Sequence, residues 1–229
     1  HATSDFNLLF SGILPALNEK NEWGTGVIKL YTTLSNDYLY QVPSNNVIFL
    51  DNHDMTRIHS SLGESVAKTK MAYAWLMTCR GIPQMYYGSE ILMKGISNPD
   101  GWVRLDFPGG WEGDQKNAFT ETGLTETEKD FLHYVQKLGT YRKSSSALKT
   151  GNMMQYLPED GLYVYFRYSK DQTIMCIMNT DTKERKINFE KFKECTQHFN
   201  GGIDIISGKK ITKEFQIPSM TMQVIELMK

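Results

Sequence analysis

Residues 46–57 read Asn-Val-Ile-Phe-Leu-Asp-Asn-His-Asp-Met-Thr-Arg: a continuous apolar run that empties into a dense polar one. An apolar run bounded by polar residues is what a strand buried on both faces requires. A helical stretch follows from about Glu64 to Cys79, with Val66, Met71, Ala74, Trp75 and Met77 available for its buried side and Arg80-Gly81 for its stop. Gly81-Ile-Pro-Gln-Met-Tyr-Tyr-Gly88 then reads as a second strand, which Pro83 can only open because proline has no ladder donor. Strand, helix and strand at this spacing predict a βαβ unit with a right-handed crossover and a parallel sheet. Upstream, Asp5–Leu17 resembles an earlier strand or loop leading into a helix.

Downstream, a long connection from Ile91 to Gly123 is rich in Gly, Asp and Trp, and loops of that length in compact domains are usually functional. Thr125-x-x-Glu128 is a capping box, and Phe131, Val135 and Leu138 mark an amphipathic helix ending near Arg142. From about Gly151 the pattern changes. Met153–Leu157, Leu162–Tyr168, Thr173–Asn179, Arg185–Phe189, Gly202–Ile206 and Met220–Met228 are short β-rich runs separated by turn signals such as Pro158-Glu-Asp-Gly161 and Asn200-Gly-Gly202. They predict a small antiparallel sandwich. With the boundary near Ser144-Ser-Ser146, the expected units are 1–146, α/β, and 147–229, all-β.

Composition narrows the function. Among 229 residues, Lys+Arg 25 against Asp+Glu 26 leaves a formal net charge of −1, against the basic excess of a nucleic-acid or anionic-membrane binder. No run approaches the ~18–20 apolar residues of a membrane span. The chain starts at His1 with no signal peptide, as expected of a processed product or a piece of something longer. Cys79, Cys176 and Cys195 are too scattered for a disulfide framework and form no CxxC pair, so they are expected to be small buried hydrophobes.

The polar half of the opening stretch is where chemistry is expected. In parallel α/β folds active sites gather at the carboxyl ends of strands, where loops can vary without disturbing the core. Here a strand delivers Asp51, Asn52, His53, Asp54 and Arg57 together. Arg57 can pair with a carboxylate and hold it ionised, and His53 offers a donor to a bound hydroxyl; a structural salt-bridge network is the alternative. The second strand ends in Tyr86-Tyr87-Gly88-Ser-Glu90, bringing aromatic faces and another carboxylate to the same rim, for stacking on a sugar or base or for core packing. No HxxxH or HExxH pattern points to a metal, no GxxxxGK[ST] or GxGxxG to a nucleotide, and no GxSxG to a serine hydrolase.

Phe49-Leu-Asp-Asn-His-Asp54 resembles the FxxNHD motif of the alpha-amylase family, glycoside hydrolase family 13, which closes the seventh strand of a (β/α)8 TIM barrel. Gly81–Glu90 is similar to that family's eighth strand, G-x-P-x-x-Y-Y-G-x-E, and Asp100–Trp111 to a loop of its neopullulanase- and cyclomaltodextrinase-like members. An antiparallel sandwich follows the barrel in these enzymes. The resemblance implies the C-terminal part of such a barrel, about strands six to eight, followed by the sandwich. It makes Asp54 the third catalytic carboxylate, a transition-state stabiliser that hydrogen-bonds sugar hydroxyls. His53 grips the same hydroxyls, and Asn52 positions the loop. Arg57, Tyr86 and Arg104 are further candidates for substrate contact. The expected ligand is an alpha-glucan oligosaccharide or polysaccharide.

A retaining glycosidase also needs a carboxylate nucleophile and a carboxylic acid about 5–5.5 Å apart. The family places them after its fourth and fifth strands, and neither motif occurs here. Asp5-Phe-Asn-Leu8 is close to the sixth-strand pattern, so the chain is expected to begin just before that strand and to be inactive alone. Three barrel strands would leave open edges, covered by the rest of the barrel or by a homodimer partner, and only the sandwich half is expected to fold comfortably alone. The implied reaction is cleavage of α-1,4 and in some members α-1,6 bonds. The competing reading is a non-catalytic sugar-binding or interaction module of amylase-like descent, against which the intact Asp54 and His53 weigh. Some members bind calcium, whose usual ligands lie mostly outside this segment. A periplasmic or extracellular location is favoured over a cytoplasmic one for an enzyme that feeds on polymer.

Overall fold

The computed structural model describes residues 2–229. A helical segment, Leu8–Ile13 continuing as α1 (Leu14–Asn18), leads through a turn into α2 (Val27–Ser35) and then into strand β1 (Val47–Phe49). A short helix α3 (Ile58–Ser61), the helix α4 (Val66–Thr78) and strand β2 (Ile82–Gln84) complete the expected βαβ unit, and β1 pairs with β2 in parallel. On the other side of β1, Ser4 forms a parallel bridge to Val47, and the Asp5 N–H donates to the Val47 carbonyl at 2.9 Å. The result is a short, open parallel sheet. The described residues form no closed barrel.

Both strands are shorter than their apolar runs, because Leu50–Asp51 and Met85–Tyr86 leave the ladder to build the rim. Pro83 sits in the middle of β2 instead of opening it. The Ile82 N–H donates to the Asn46 carbonyl, so alternation turns the Pro83 nitrogen away from β1 and no ladder bond is lost. At the base of the sheet Arg80 donates to Asp5 Oδ2 at 2.9 Å and to Asp37 Oδ2 at 2.8 Å, tying the first segment to the α4–β2 connection.

The long connection after β2 carries no strand and no long helix, yet it is held at many points. Asp114 accepts from the Gly109 and Trp111 N–H groups, Asn117 accepts from those of Phe119 and Thr120, and Ile91, Ala118, Leu124 and Leu132 make a small core beneath. Helix α5 (Glu126–Ser144) starts at the expected capping box, and α6 (Ser146–Thr150) follows.

Next come β3 (Asn152–Gln155), β4 (Leu162–Tyr168), β5 (Thr173–Asn179), β6 (Arg185–Asn188), the short helix α7 (Lys193–Thr196), β7 (Gly201–Asp204), β8 (Lys210–Thr212), β9 (Glu214–Ile217) and β10 (Thr221–Met228). Six of these strands form one antiparallel sheet in the order β3-β4-β5-β10-β7-β8, and β6 pairs with β9 in a two-stranded one. Side-chain alternation divides each central strand between two cores. Val164, Phe166, Met175, Ile177 and Leu227 pack against Ile187, Phe189 and Ile217. Tyr163, Tyr165, Ile174, Cys176, Met178 and Val224 face the other way and share one core with Met71, Trp75 and other residues of α4. The antiparallel half is thus a middle layer between a β-ribbon and the helices of the first half.

Candidate active site

The rim cluster is built by the residues that follow β1 and β2 at their carboxyl ends. The Asn52 side chain accepts the Asp54 N–H at 2.9 Å, a turn closed by the asparagine's own amide, and this aims the Asp54 carboxylate outward. Asp54 and His53 have side chains 63% and 64% exposed, with His53 Nε2 3.2 Å from Asp54 Oδ2. Arg104, from the long connection, donates from Nε to the His53 carbonyl at 2.8 Å and from Nη2 to Asp54 Oδ1 at 2.9 Å. The same Nη2 lies 3.2 Å from Asp100 Oδ2. Both oxygens of Asp54 are therefore oriented by a neighbour while still facing solvent. Asp54, His53, Asn52 and Arg104 come together as one constellation.

Arg57 belongs to the layer below. It is fully buried, stacked 4.6 Å from the Tyr86 ring centroid and 5.0 Å from that of Tyr87. Its Nη1 donates to the Tyr87 carbonyl at 2.7 Å and lies 3.4 Å from Ser89 Oγ. A sugar contact at Arg57 is therefore corrected: the side chain never reaches the rim surface, and it supports the two tyrosines and their turn instead. Gly88 shows how tight this turn is, with φ +80° and a site where an added Cβ would meet Met93 Sδ at 2.1 Å and Arg57 Nη1 at 3.4 Å.

Tyr86 is half-buried and donates to the Val103 carbonyl at 3.0 Å; Tyr87 is more open and donates to the Leu105 carbonyl at 2.8 Å. The two hydroxyls anchor the connection that carries Arg104. Burial, and the neighbouring Tyr87, push the Tyr86 hydroxyl up to about 12. Asp51, the other carboxylate of the stretch, is 1% exposed and accepts from the Ile58 N–H at 2.8 Å and from Ser89 Oγ at 2.6 Å. Burial raises it above the ordinary carboxylate range, as burial also does for Glu90. Asp51 thus joins β1 to the β2 turn and is not a rim residue.

Sequence reading passed over Ser89, which serves Asp51 and Arg57 at once, and Asp100, whose spacing of four from Arg104 was the available signal. Among the described residues no three His, Cys, Asp or Glu side chains converge on a common centre. No helix among them is long and apolar enough to cross a membrane.

Comparison with known proteins places this rim in a family. A family model described as the alpha-amylase catalytic domain matches residues 4–129, more than half of the chain. The chain belongs to the alpha-amylase family. A second family model, described as the cyclo-malto-dextrinase C-terminal domain, matches residues 153–226. A cyclomaltodextrin glucanotransferase of Bacillus sp. (strain 1011) is 33% identical over 128 residues, covering 56% of this chain and 15% of that protein. Alpha-amylase 3 of Dictyoglomus thermophilum is 32% identical over 162 residues, covering 63% of this chain and 32% of that protein. The chain thus spans a minor part of the length of these curated relatives. Among solved structures, an alpha-amylase from Geobacillus thermoleovorans complexed with acarbose superposes with a TM-score of 0.77 at 21% identity, over 100% of this chain and 48% of that one. At that identity the likeness speaks for the fold alone.

Proposed function

We propose that this chain supplies the last part of the catalytic barrel and the C-terminal domain of a retaining enzyme acting on α-glucans. The observation that carries this reading is the Asp54 constellation: a carboxylate at the mouth of a parallel strand, oriented by Asn52, His53 and Arg104 and open to solvent. In this reading β1, β2 and the Ser4 bridge are three of eight barrel positions, and Phe6, Phe10, Ile82 and Met85, all exposed, lie where the remaining barrel would cover them.

The chemistry assigned to these residues is binding that strengthens along the reaction. A nucleophilic carboxylate attacks the anomeric carbon while an acid protonates the departing glycosidic oxygen, and water then releases the glycosyl group with the acid acting as base. Neither of those two groups is among these 229 residues in this reading. Asp54 and His53 hold two hydroxyls of the same sugar, and these contacts tighten as the ring flattens toward the oxocarbenium ion, contributing several kcal/mol. Bonds of the α-1,4 type, and α-1,6 in some relatives, fall within the proposal, as does a periplasmic or extracellular site of action.

The test has two arms. The chain alone, given maltoheptaose, pullulan or β-cyclodextrin, is expected to release no reducing sugar. Fused behind the part of a cyclomaltodextrin glucanotransferase that precedes the matched stretch, it is expected to turn over. In that fusion Asp54→Asn lowers kcat by about 10³-fold, the equivalent of about 4 kcal/mol, with a much smaller change in KM. A fusion that turns over equally well with Asp54→Asn overturns the assignment.

A further inference from the structure

Trp23 is 102% exposed, the most open large apolar side chain in the molecule, and none of the rim chemistry uses it. An indole held open to water on an ordered loop leaves a large flat apolar face free to stack on a ligand. The loop that carries it is ordered by its own contacts. Glu19 accepts from the Gly26 N–H at 3.3 Å and pairs with Lys29 at 2.9 Å, Asn21 Oδ1 accepts the Val27 N–H at 3.1 Å, and the Thr25 hydroxyl donates to the Lys20 carbonyl at 2.8 Å. Gly26 holds φ +72°, and a Cβ there would lie 2.5 Å from Asn21 Oδ1. Asn21 also donates to Thr180 Oγ1 at 3.0 Å, fastening the loop to the end of β5 in the second half of the chain. Trp23 is held out by a built turn.

What it faces is a groove of about 630 Å³ between this loop and the β3–β4 connection, with Leu157, Pro158, Asp160 and Gly161 on the far wall. A second hollow of about 430 Å³ shares Asn21 and Asp160 with the first and continues past Lys68, Asp181 and Arg185. The two hollows adjoin at Asn21 and Asp160, one bearing the aromatic plate of Trp23 and the other charged side chains and the hydroxyls of Thr180 and Thr182. A pyranose presents C–H groups on its face and hydroxyls around its edge, so it suits this arrangement: face against the indole, edge toward carboxylates, amide and guanidinium. A protein partner fits less well. The open apolar surface is little more than Trp23 and Leu157, far short of the ~800 Å² per partner of a stable interface.

We infer that the Trp23 groove is a second α-glucan-binding site, separate in its residues from the Asp54 rim. The inference rests on the α-glucan reading given above and adds a place for a glucan to dock at the junction of the two halves.

Calorimetric titration of the intact chain with maltoheptaose, beside cellohexaose as a β-linked control, tests it. Maltoheptaose is expected to bind, Trp23→Ala to weaken that binding by about tenfold or more and Trp23→Phe to keep most of it. Because Trp23 is fully exposed, its replacement should not move the thermal midpoint. Equal binding by wild type and Trp23→Ala, with loss in Asp54→Asn, overturns the second site while leaving the rim assignment intact. Absence of maltoheptaose binding, or equal binding of cellohexaose, also overturns it, and the rim is then judged by turnover of the fusion. So does a sedimentation result in which Trp23→Ala dissolves a dimer without touching glucan affinity.

Discussion

Asp51 and Asp54 stand on one short stretch and meet opposite surroundings: Asp51 is sealed under the rim by Ser89 and Ile58, while Asp54 looks outward between His53 and Arg104. Burial is the largest influence on Asp51 and raises it, while the two hydrogen bonds and the Arg57 charge act in the other direction. The folded chain therefore keeps that proton to higher pH than the unfolded chain, whose aspartates titrate near about 3.9. The stability this carboxyl contributes is full below that value and is lost as pH rises through the raised one. Asp51→Asn removes the titration and still offers an oxygen to Ile58 and Ser89. The thermal midpoint of Asp51→Asn relative to wild type should thus shift in the variant's favour as pH rises above about 4; an offset that does not change with pH would refute the argument. The grouping of Asn52, His53 and Asp54 on one turn was legible from sequence because their contacts run along a single stretch of chain. The burial of Arg57 was not, because it depends on Tyr86 and Tyr87 arriving from the next strand.

Elements with strong local signals were legible nearly to the residue. Helix α5 begins where Thr125 Oγ1 accepts the Glu128 N–H at 3.2 Å and Glu128 Oε2 accepts the Thr125 N–H at 2.7 Å. Glu128 Oε1 also receives Lys116 at 2.9 Å, so the same residue that caps the helix ties down the long connection. Thr125→Ala should cost about 1 kcal/mol, which at this chain length lowers the thermal midpoint by about 2–4 °C, and Thr125→Ser should restore it. Glu128→Gln retains an acceptor for the cap and should cost less than Thr125→Ala; the opposite order would show that the ion pair outweighs the cap. Strands β4 and β5 matched their apolar runs because both faces are buried. Strands β8 and β9 were missed because they are short and lie mostly open to solvent.

Over the whole molecule, the two halves do not divide where their patterns divide. The end of α4 is closed by two arginines from beyond it: Arg142 donates to the carbonyls of Met77 at 2.9 Å and Gly81 at 2.8 Å, and Arg167 to that of Thr78 at 2.8 Å. Both guanidiniums face the negative end of a helix dipole, and burial, together with the like charge of Arg167, lowers Arg142 to about 10. Tyr165 shares a hydrogen bond of 2.5 Å with Thr78, and the β4, β5 and β10 side chains on this face share one core with α4. The expectation that 147–229 folds comfortably alone is therefore revised, since that piece would lose the α4 side of the core around Tyr163, Tyr165, Cys176 and Val224 and one of the three hydrogen bonds of Arg167. The shared core predicts a single unfolding transition for the full chain, with near-ultraviolet and far-ultraviolet dichroism changing together. Arg142→Ala strands buried carbonyls in the first half and should lower that one transition by about 1–3 kcal/mol without splitting it. A split into two steps would mean that α4 and the antiparallel sheet hold together independently, and that the junction bearing the Trp23 groove is a hinge between separate domains.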